Sequence, residues 1–198
     1  GNKEGKFCEF FPNGSLKSEK NFKHSLFHGS QKEWFLDGKK QLEATFNEGK
    51  REGFFRTWNE KGVLTYEGPF ENDLQIGTHV SCYENGDKKE TTHFIKGKVE
   101  GKYESFYANG QLKLISHFKE GLLDGENRGF YEDGTLAFVK HFRENKPVGK
   151  HEDFFQQKNP ASKKDNRNSL RSIELYDDKG QFHGKQTTYY LSGAIKTQ

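Results

Sequence analysis

The sequence is short of aliphatic side chains and has no methionine at all. Only 30% of its 198 residues are hydrophobic, too few for a thick two-layer core. No run of 18 apolar residues occurs, so no helix of the chain would span a membrane. Net charge is equally scarce. The 32 Lys and Arg against 29 Asp and Glu leave +3, with the signs interspersed, which gives no electrostatic case for a nucleic-acid partner. Catalytic signatures are missing too: there is no nucleophile elbow, no phosphate loop, no H-E-x-x-H and no cysteine pairs at zinc spacing. No enzyme, cofactor or metal site is therefore expected. Low hydrophobicity with 31% charge borders on a disordered composition, but 19 Phe and 15% aromatics oppose it. No signal peptide lies within these residues. The lack of Met even at position 1 points to a cut or processed form, which leaves room for an export signal already removed, so cytoplasm and export both stay open.

What the sequence has instead is a repeat. Glycines recur at Gly5, Gly29, Gly53, Gly77, Gly101, Gly125 and Gly149, each 24 residues from the last. A second column, Gly14, Gly38, Gly62, Gly86, Gly110 and Gly134, follows nine residues behind. A third, Phe22, Phe46, Phe70, Phe94, Phe118 and Phe142, follows seventeen behind. Columns in register over consecutive units define a repeat array, clearest in residues 101–125, GKYESFYANGQLKLISHFKEGLLDG. One continuous array over residues 1–198 is expected, with repeats starting near 5, 29, 53, 77, 101, 125, 149 and 184.

Each repeat is predicted to be a β-hairpin, which makes the chain all-β. Asn13-Gly14, Asp37-Gly38, Asn85-Gly86, Asn109-Gly110 and Asp133-Gly134 suit a two-residue type I′ turn, in which both central residues take positive φ. Such a turn would set Tyr107 opposite Leu112 and Gly101 opposite Phe118, with residues 119–124 as a loop to the next repeat. One face then collects Tyr103, Tyr107, Leu112, Leu114 and Phe118, with Gly101 leaving room for the Phe ring. The other carries Phe10, Trp34, Trp58, Cys82, Phe106, Phe130, Phe154 and Tyr189 among polar neighbours. The expected architecture is an elongated single-layer antiparallel meander of about eight hairpins. Cys8 and Cys82 lie three repeats apart, roughly 29 Å at ~4.8 Å per strand. A disulfide needs Cα atoms within about 7 Å, so both should be free thiols.

The seventh repeat departs from the pattern. No turn glycine stands at Lys158, and the strand resumes at Leu170 and ends in Tyr176, which locates a ten-residue insertion within 158–169. The region is polar and basic, with Lys163, Lys164, Arg167 and Arg171. The eighth repeat, from Gly184, stops at Gln198 before its terminal Phe. Neither end looks like a polar cap. An end strand would then pair with a neighbour, as in a homodimer through the sheet edges, unless sequence has been lost there.

The pattern G-x4-aromatic-aromatic-x-N/D-G-x-L-x5-F-x2-G-x3-G in residues 101–125 resembles the bacterial MORN-repeat variant, over nearly the whole chain. Many such proteins are labelled the antitoxin half of a toxin–antitoxin pair. The resemblance implies a twisted sheet of hairpins with a binding role. The partner would be a protein, toxin-like above all, or membrane phospholipid as in the broader MORN family. Asn59, Cys82 and Lys158 stand where the repeat calls for an aromatic or a turn glycine.

Two side-chain columns carry the functional question. His93, His117 and His141 share a position just before the Phe. Adjacent repeats would hold their rings ~10 Å apart, whereas the ligands of one zinc sit ~2 Å from it, so they are expected to stand exposed in solvent. The aromatic column is the better candidate. Either its rings fold over one another and leave no free surface, or they form a stripe on which a partner lies. In the second case Trp34 and Trp58 are the anchors, continued by Phe106, Phe130 and Phe154. The basic insertion with Lys163, Lys164 and Arg167 is either a spacer or a recognition loop for an acidic partner.

Overall fold

The computed structural model describes residues 2–156, 170–184 and 186–197. The expected insertion, with Lys163, Lys164 and Arg167, lies outside them. Among the described residues every regular element is a β-strand, 21 in all, and the strands form an open, single-layer antiparallel meander of hairpins. Two compact halves, Gly1–Lys98 and Val99–Gln198, are each built from the same hairpin.

One hairpin of the second half shows the rule. Gly101–Phe106 runs against Leu112–Lys119, with Gly101 opposite Phe118 and Tyr103 opposite Ser116. The register then slips after Ser105, so that Phe106, not Tyr107, faces Leu112. This corrects the expected Tyr107–Leu112 pair and moves Leu112 to the face of the aromatic column. The cause lies in the turn. Gly110 N–H donates to Tyr107 O at 2.9 Å, and Tyr107 N–H to Gln111 O at 2.7 Å. Gly110 is the one loop residue with positive φ, 82°. This is a three-residue loop closed by a glycine bulge, not a type I′ turn. Asn109 serves through its side chain instead, its Oδ1 accepting the Gln111 N–H at 2.9 Å. Asn13, Asp37, Asn85 and Asp133 close their turns in the same way, at 3.0, 3.1, 3.0 and 2.9 Å.

The type I′ turn occurs at the other end of the hairpin. Residues 119–124, expected to be a loop, form a second tight turn through Glu120 (φ 51°) and Gly121 (φ 86°). Leu122–Leu123 then folds back onto Lys119 and Phe118. His24-Ser25, Glu48-Gly49, Asn72-Asp73, Lys96-Gly97 and Glu144-Asn145 repeat it, all at positive φ. Residues with side chains pay for that conformation, and carboxylates offset the strain. Glu4 accepts the His24 N–H at 2.7 Å, Glu52 that of Asn72 at 3.1 Å, and Glu100 that of Glu120 at 2.7 Å. Gly101 also has positive φ, 73°. A Cβ there would meet nothing within 4 Å, so backbone conformation, not the expected room for Phe118, demands the glycine.

Alternation sorts the side chains into a ladder face, which carries the Phe column, and a stripe face, which carries Trp34 and Trp58. Rings meet along the ladder, Phe22 to Phe27 at 4.9 Å and Phe27 to Phe46 at 5.3 Å between centroids. Yet most buried side chains of this face are polar: Ser18, Gln31 and His79 in the first half, Ser105, Ser116, Asn127, His151 and Ser172 in the second. Buried polar groups need partners, and wide bulges between hairpins supply them. Pairing jumps from Ile115–Arg128 to Phe118–Leu123, which leaves backbone carbonyls to be satisfied by side chains. Asn21 Nδ2 donates to Ser30 O at 2.5 Å, and Gln31 Nε2 returns a bond to Asn21 O at 2.9 Å. His141 Nδ1 and Lys150 O are 3.0 Å apart, and His151 Nε2 and His141 O 2.8 Å. His117 Nδ1 meets Glu126 O at 2.7 Å. The histidine column, expected to stand free in solvent, instead stitches neighbouring hairpins at His117 and His141.

Candidate functional site

Every stripe residue ends the first strand of its hairpin, one step past the register slip. Trp34 faces Lys40 and Trp58 faces Leu64 in the first half. Phe106 faces Leu112, Phe130 faces Leu136 and Phe154 faces Leu170 in the second. The slip therefore puts a leucine column beside the aromatic column. All five predicted aromatics are half-buried, and Phe10, first in the column, is 62% exposed. Neither extreme of the sequence reading holds, since the rings are supported by the array without being closed off by it.

Local contacts fix the stripe. Lys40 Nζ lies 5.4 Å from the Trp58 ring centroid and is steadied by Glu43 at 3.0 Å, a cation–π arrangement. In the second half the Tyr107 hydroxyl donates to Phe130 O at 2.8 Å, and the Tyr131 hydroxyl to Phe154 O at 2.7 Å. Cys82 interrupts the column. Burial pushes its thiol pKa up, which favours the thiol over the thiolate. Cys8 is exposed, and both cysteines are free thiols, as their separation in the sequence requires.

Five ion pairs share this face. Lys6 meets Glu19 at 2.6 Å and Arg56 meets Glu67 at 3.1 Å in the first half. Lys102–Glu104, Arg128–Glu126 and Lys150–Glu152 are 2.6, 2.5 and 2.6 Å apart in the second. Half-exposed pairs of this kind add little stability, but each cancels a basic charge beside the stripe. Among the described residues no group of three His, Cys, Asp or Glu could hold a metal. The stripe thus presents half-buried apolar rings bordered by fixed polar groups.

Sequence reasoning missed the ladder-face column in which Gln31, His79 and Asn127 alternate with Phe7, Phe55 and Tyr103. A period of two repeats was the available signal. The alternation marks where a side chain donates to a bulge carbonyl, as Gln31 and His79 do at 2.9 Å each, and where a ring fills the same place.

Residues 3–24, 27–48 and 99–120 match the MORN repeat variant. Each matched window ends on the first residue of a type I′ turn, His24, Glu48 and Glu120, so the family's unit is the hairpin seen here together with the short strand that leads into it. No curated protein matches the chain. MORN repeats are generally protein- or phospholipid-binding and typically non-catalytic. These three windows cover 66 of the 198 residues, and the hairpin they match also builds the rest of both halves.

Proposed function

We propose that the chain is a non-catalytic binding module whose stripe face seats a partner protein. Trp34 and Trp58 are the anchors of the first half, and Phe106, Phe130 and Phe154 those of the second. The observation that carries this reading is the coexistence of half-open aromatics with ion pairs along their rim. A protein surface rewards exposed rings with desolvation, whereas an anionic lipid surface rewards unpaired Lys and Arg. On the stripe face the basic side chains just described are already neutralised. The partner we favour is a toxin-like protein held in stoichiometric complex, with activity lost by occlusion as an antitoxin or immunity protein would achieve it. Lys163, Lys164 and Arg167 would meet an acidic patch of the same partner.

The test is capture from the native host with the chain as bait, read by mass spectrometry, beside a Trp34→Ala/Trp58→Ala version of unchanged fold by circular dichroism. The reading expects one protein in stoichiometric amount with the parent chain and its loss with the double variant. Retention of that protein by the double variant, or phospholipid co-purifying in its place, would overturn it.

A further inference from the structure

One position of the repeat is filled by an apolar plug in most hairpins. Phe27 sits there between Phe22 and Phe46, Leu123 pairs with Phe118, and Pro147 with Phe142. Val99 holds the same place in the sequence, but in two successive repeats of the first half the residues are Arg51 and Gln75. Where the plug is missing a cavity of about 490 Å³ opens on the ladder face, walled by Phe55, Tyr66, Phe70 and Leu74 and edged by Arg51 and Gln75. That volume is in the range of small-ligand sites. It lies within residues 51–97, a stretch outside the windows that match the MORN model.

The polar groups of this cavity are held in place. Arg51 donates from Nε and from its backbone N–H to the same oxygen of Asp73, at 2.9 Å in both cases. Its guanidinium carbon is 4.1 Å from the Phe70 ring centroid. Its two Nη groups make no hydrogen bond or ion pair with any described residue, which leaves one edge of the fork to the cavity. Beneath lies His79, 4% exposed, with Nε2 2.9 Å from Pro69 O and Nδ1 2.5 Å from the Tyr66 hydroxyl. If Nε2 carries the proton, Tyr66 donates to Nδ1 and its oxygen remains an acceptor. Gly68 makes this floor, since a Cβ there would fall 2.1 Å from His79 Nδ1.

We propose that this cavity captures the C-terminal residue of a partner polypeptide, with its carboxylate on the Nη edge of Arg51 and its apolar side chain against Phe55, Tyr66 and Phe70. A guanidinium fixed at Nε and stacked on a ring presents two parallel N–H groups, the geometry a carboxylate takes bidentately. Because Arg51 stacks on Phe70, a carboxylate in the plane of the guanidinium lies beside the aromatic walls. The ligand must then carry an apolar group within a few bonds of its carboxylate. A chain terminus has both on one Cα, whereas an acidic side chain inserted from mid-chain brings the carboxylate alone. Asp73 opposes a second anion, but its Oδ1 is spent on two N–H groups, and Lys50 stands close enough to stabilise its charge. The cavity is on the opposite face from Trp58, so this assignment does not rest on the stripe.

Calorimetric titration of the full chain tests it with three probes: acetyl-Gly-Leu-Phe with a free carboxylate, its C-terminal amide, and the terminus-blocked acidic peptide acetyl-Gly-Glu-Leu-amide. The free acid is expected to bind at one site, at least about tenfold more tightly than the other two. Arg51→Leu, which restores an apolar plug like Leu123, is expected to fold and to abolish binding. Arg51→Lys should weaken it by about tenfold, since a point charge replaces the fork. Trp34→Ala/Trp58→Ala should leave it unchanged. Equal binding of acid and amide, equal binding of the blocked acidic peptide, binding that survives Arg51→Leu, or no binding of the free acid would each overturn the proposal.

Discussion

His79 and Trp58 belong to one compact half and lie on opposite faces of its strands, and they are held in opposite ways. His79 is 4% exposed, its ring packed over Gly68 and set against Phe70 and Phe94 at 5.2 and 4.8 Å between centroids. Both of its nitrogens have partners. Trp58 is half-open, touched by one lysine above and one leucine across the strand pair. The ladder face therefore gains its order from polar side chains that complete the backbone at bulges, and the stripe face keeps apolar area in reserve. In a single-layer sheet no second layer can bury an apolar face. Here one face is closed by its own side chains, and the other stays half open to solvent.

Substitutions should separate the faces, and the largest effect is expected on the ladder. Gly68→Ala drives a methyl group into the His79 ring, where a Cβ would stand 2.1 Å from Nδ1. It should cost about 3 kcal/mol in urea unfolding, with no loss of stripe binding beyond the loss of folded chain. His79→Ala leaves Pro69 O without its side-chain donor and the Tyr66 hydroxyl without its partner, at about 2 kcal/mol. His79→Gln should recover most of that, because Gln31 makes the equivalent bond to Asn21 O. Trp58→Ala removes a half-buried ring and should cost only about 1 kcal/mol, while abolishing partner capture. Arg56→Ala breaks a half-exposed pair with Glu67 and should stay within about 1 kcal/mol. A Trp58→Ala loss larger than that of His79→Ala would reverse the assignment of the faces.

Acid should act on the ladder face through its two buried histidines. Burial holds the pKa of both His79 and His151 below the ordinary histidine value, so the folded chain binds fewer protons than the unfolded chain. The stability they contribute is complete above the unfolded pKa of about 6.5 and is lost as pH falls through the lowered folded values. Denaturant midpoints should therefore decline from neutral pH toward pH 5. The His79→Gln/His151→Gln variant should show a shallower decline, and an unaltered slope would count against burial of these rings.

The hairpin, its period and the two faces were legible because glycine and phenylalanine columns recur with few departures. Turn chemistry was legible only by halves. Asn109-Gly110 carries the usual signal of a type I′ turn, but the glycine bulge and the Asn109 side-chain bond satisfy the same residues in another geometry. The type I′ turns fell to pairs such as His24-Ser25 and Asn72-Asp73, whose positive φ is supported by carboxylates 20 residues away in sequence. No local pattern announces that support. The stripe was legible as a column, but its half-burial was not, because that depends on a register slip that carries Leu64 and Leu112 to the same face. The buried polar side chains were hidden for a related reason: His151 looks like a stray surface residue until the bulge carbonyl at His141 is seen.

The most direct test is hydroxyl-radical footprinting of the free chain, read residue by residue by mass spectrometry. The account predicts that Trp34 and Trp58 are oxidised readily while His79, His151 and Phe70 stay protected until the chain unfolds. Protection of both tryptophans, with oxidation of the ladder-face residues, would contradict it.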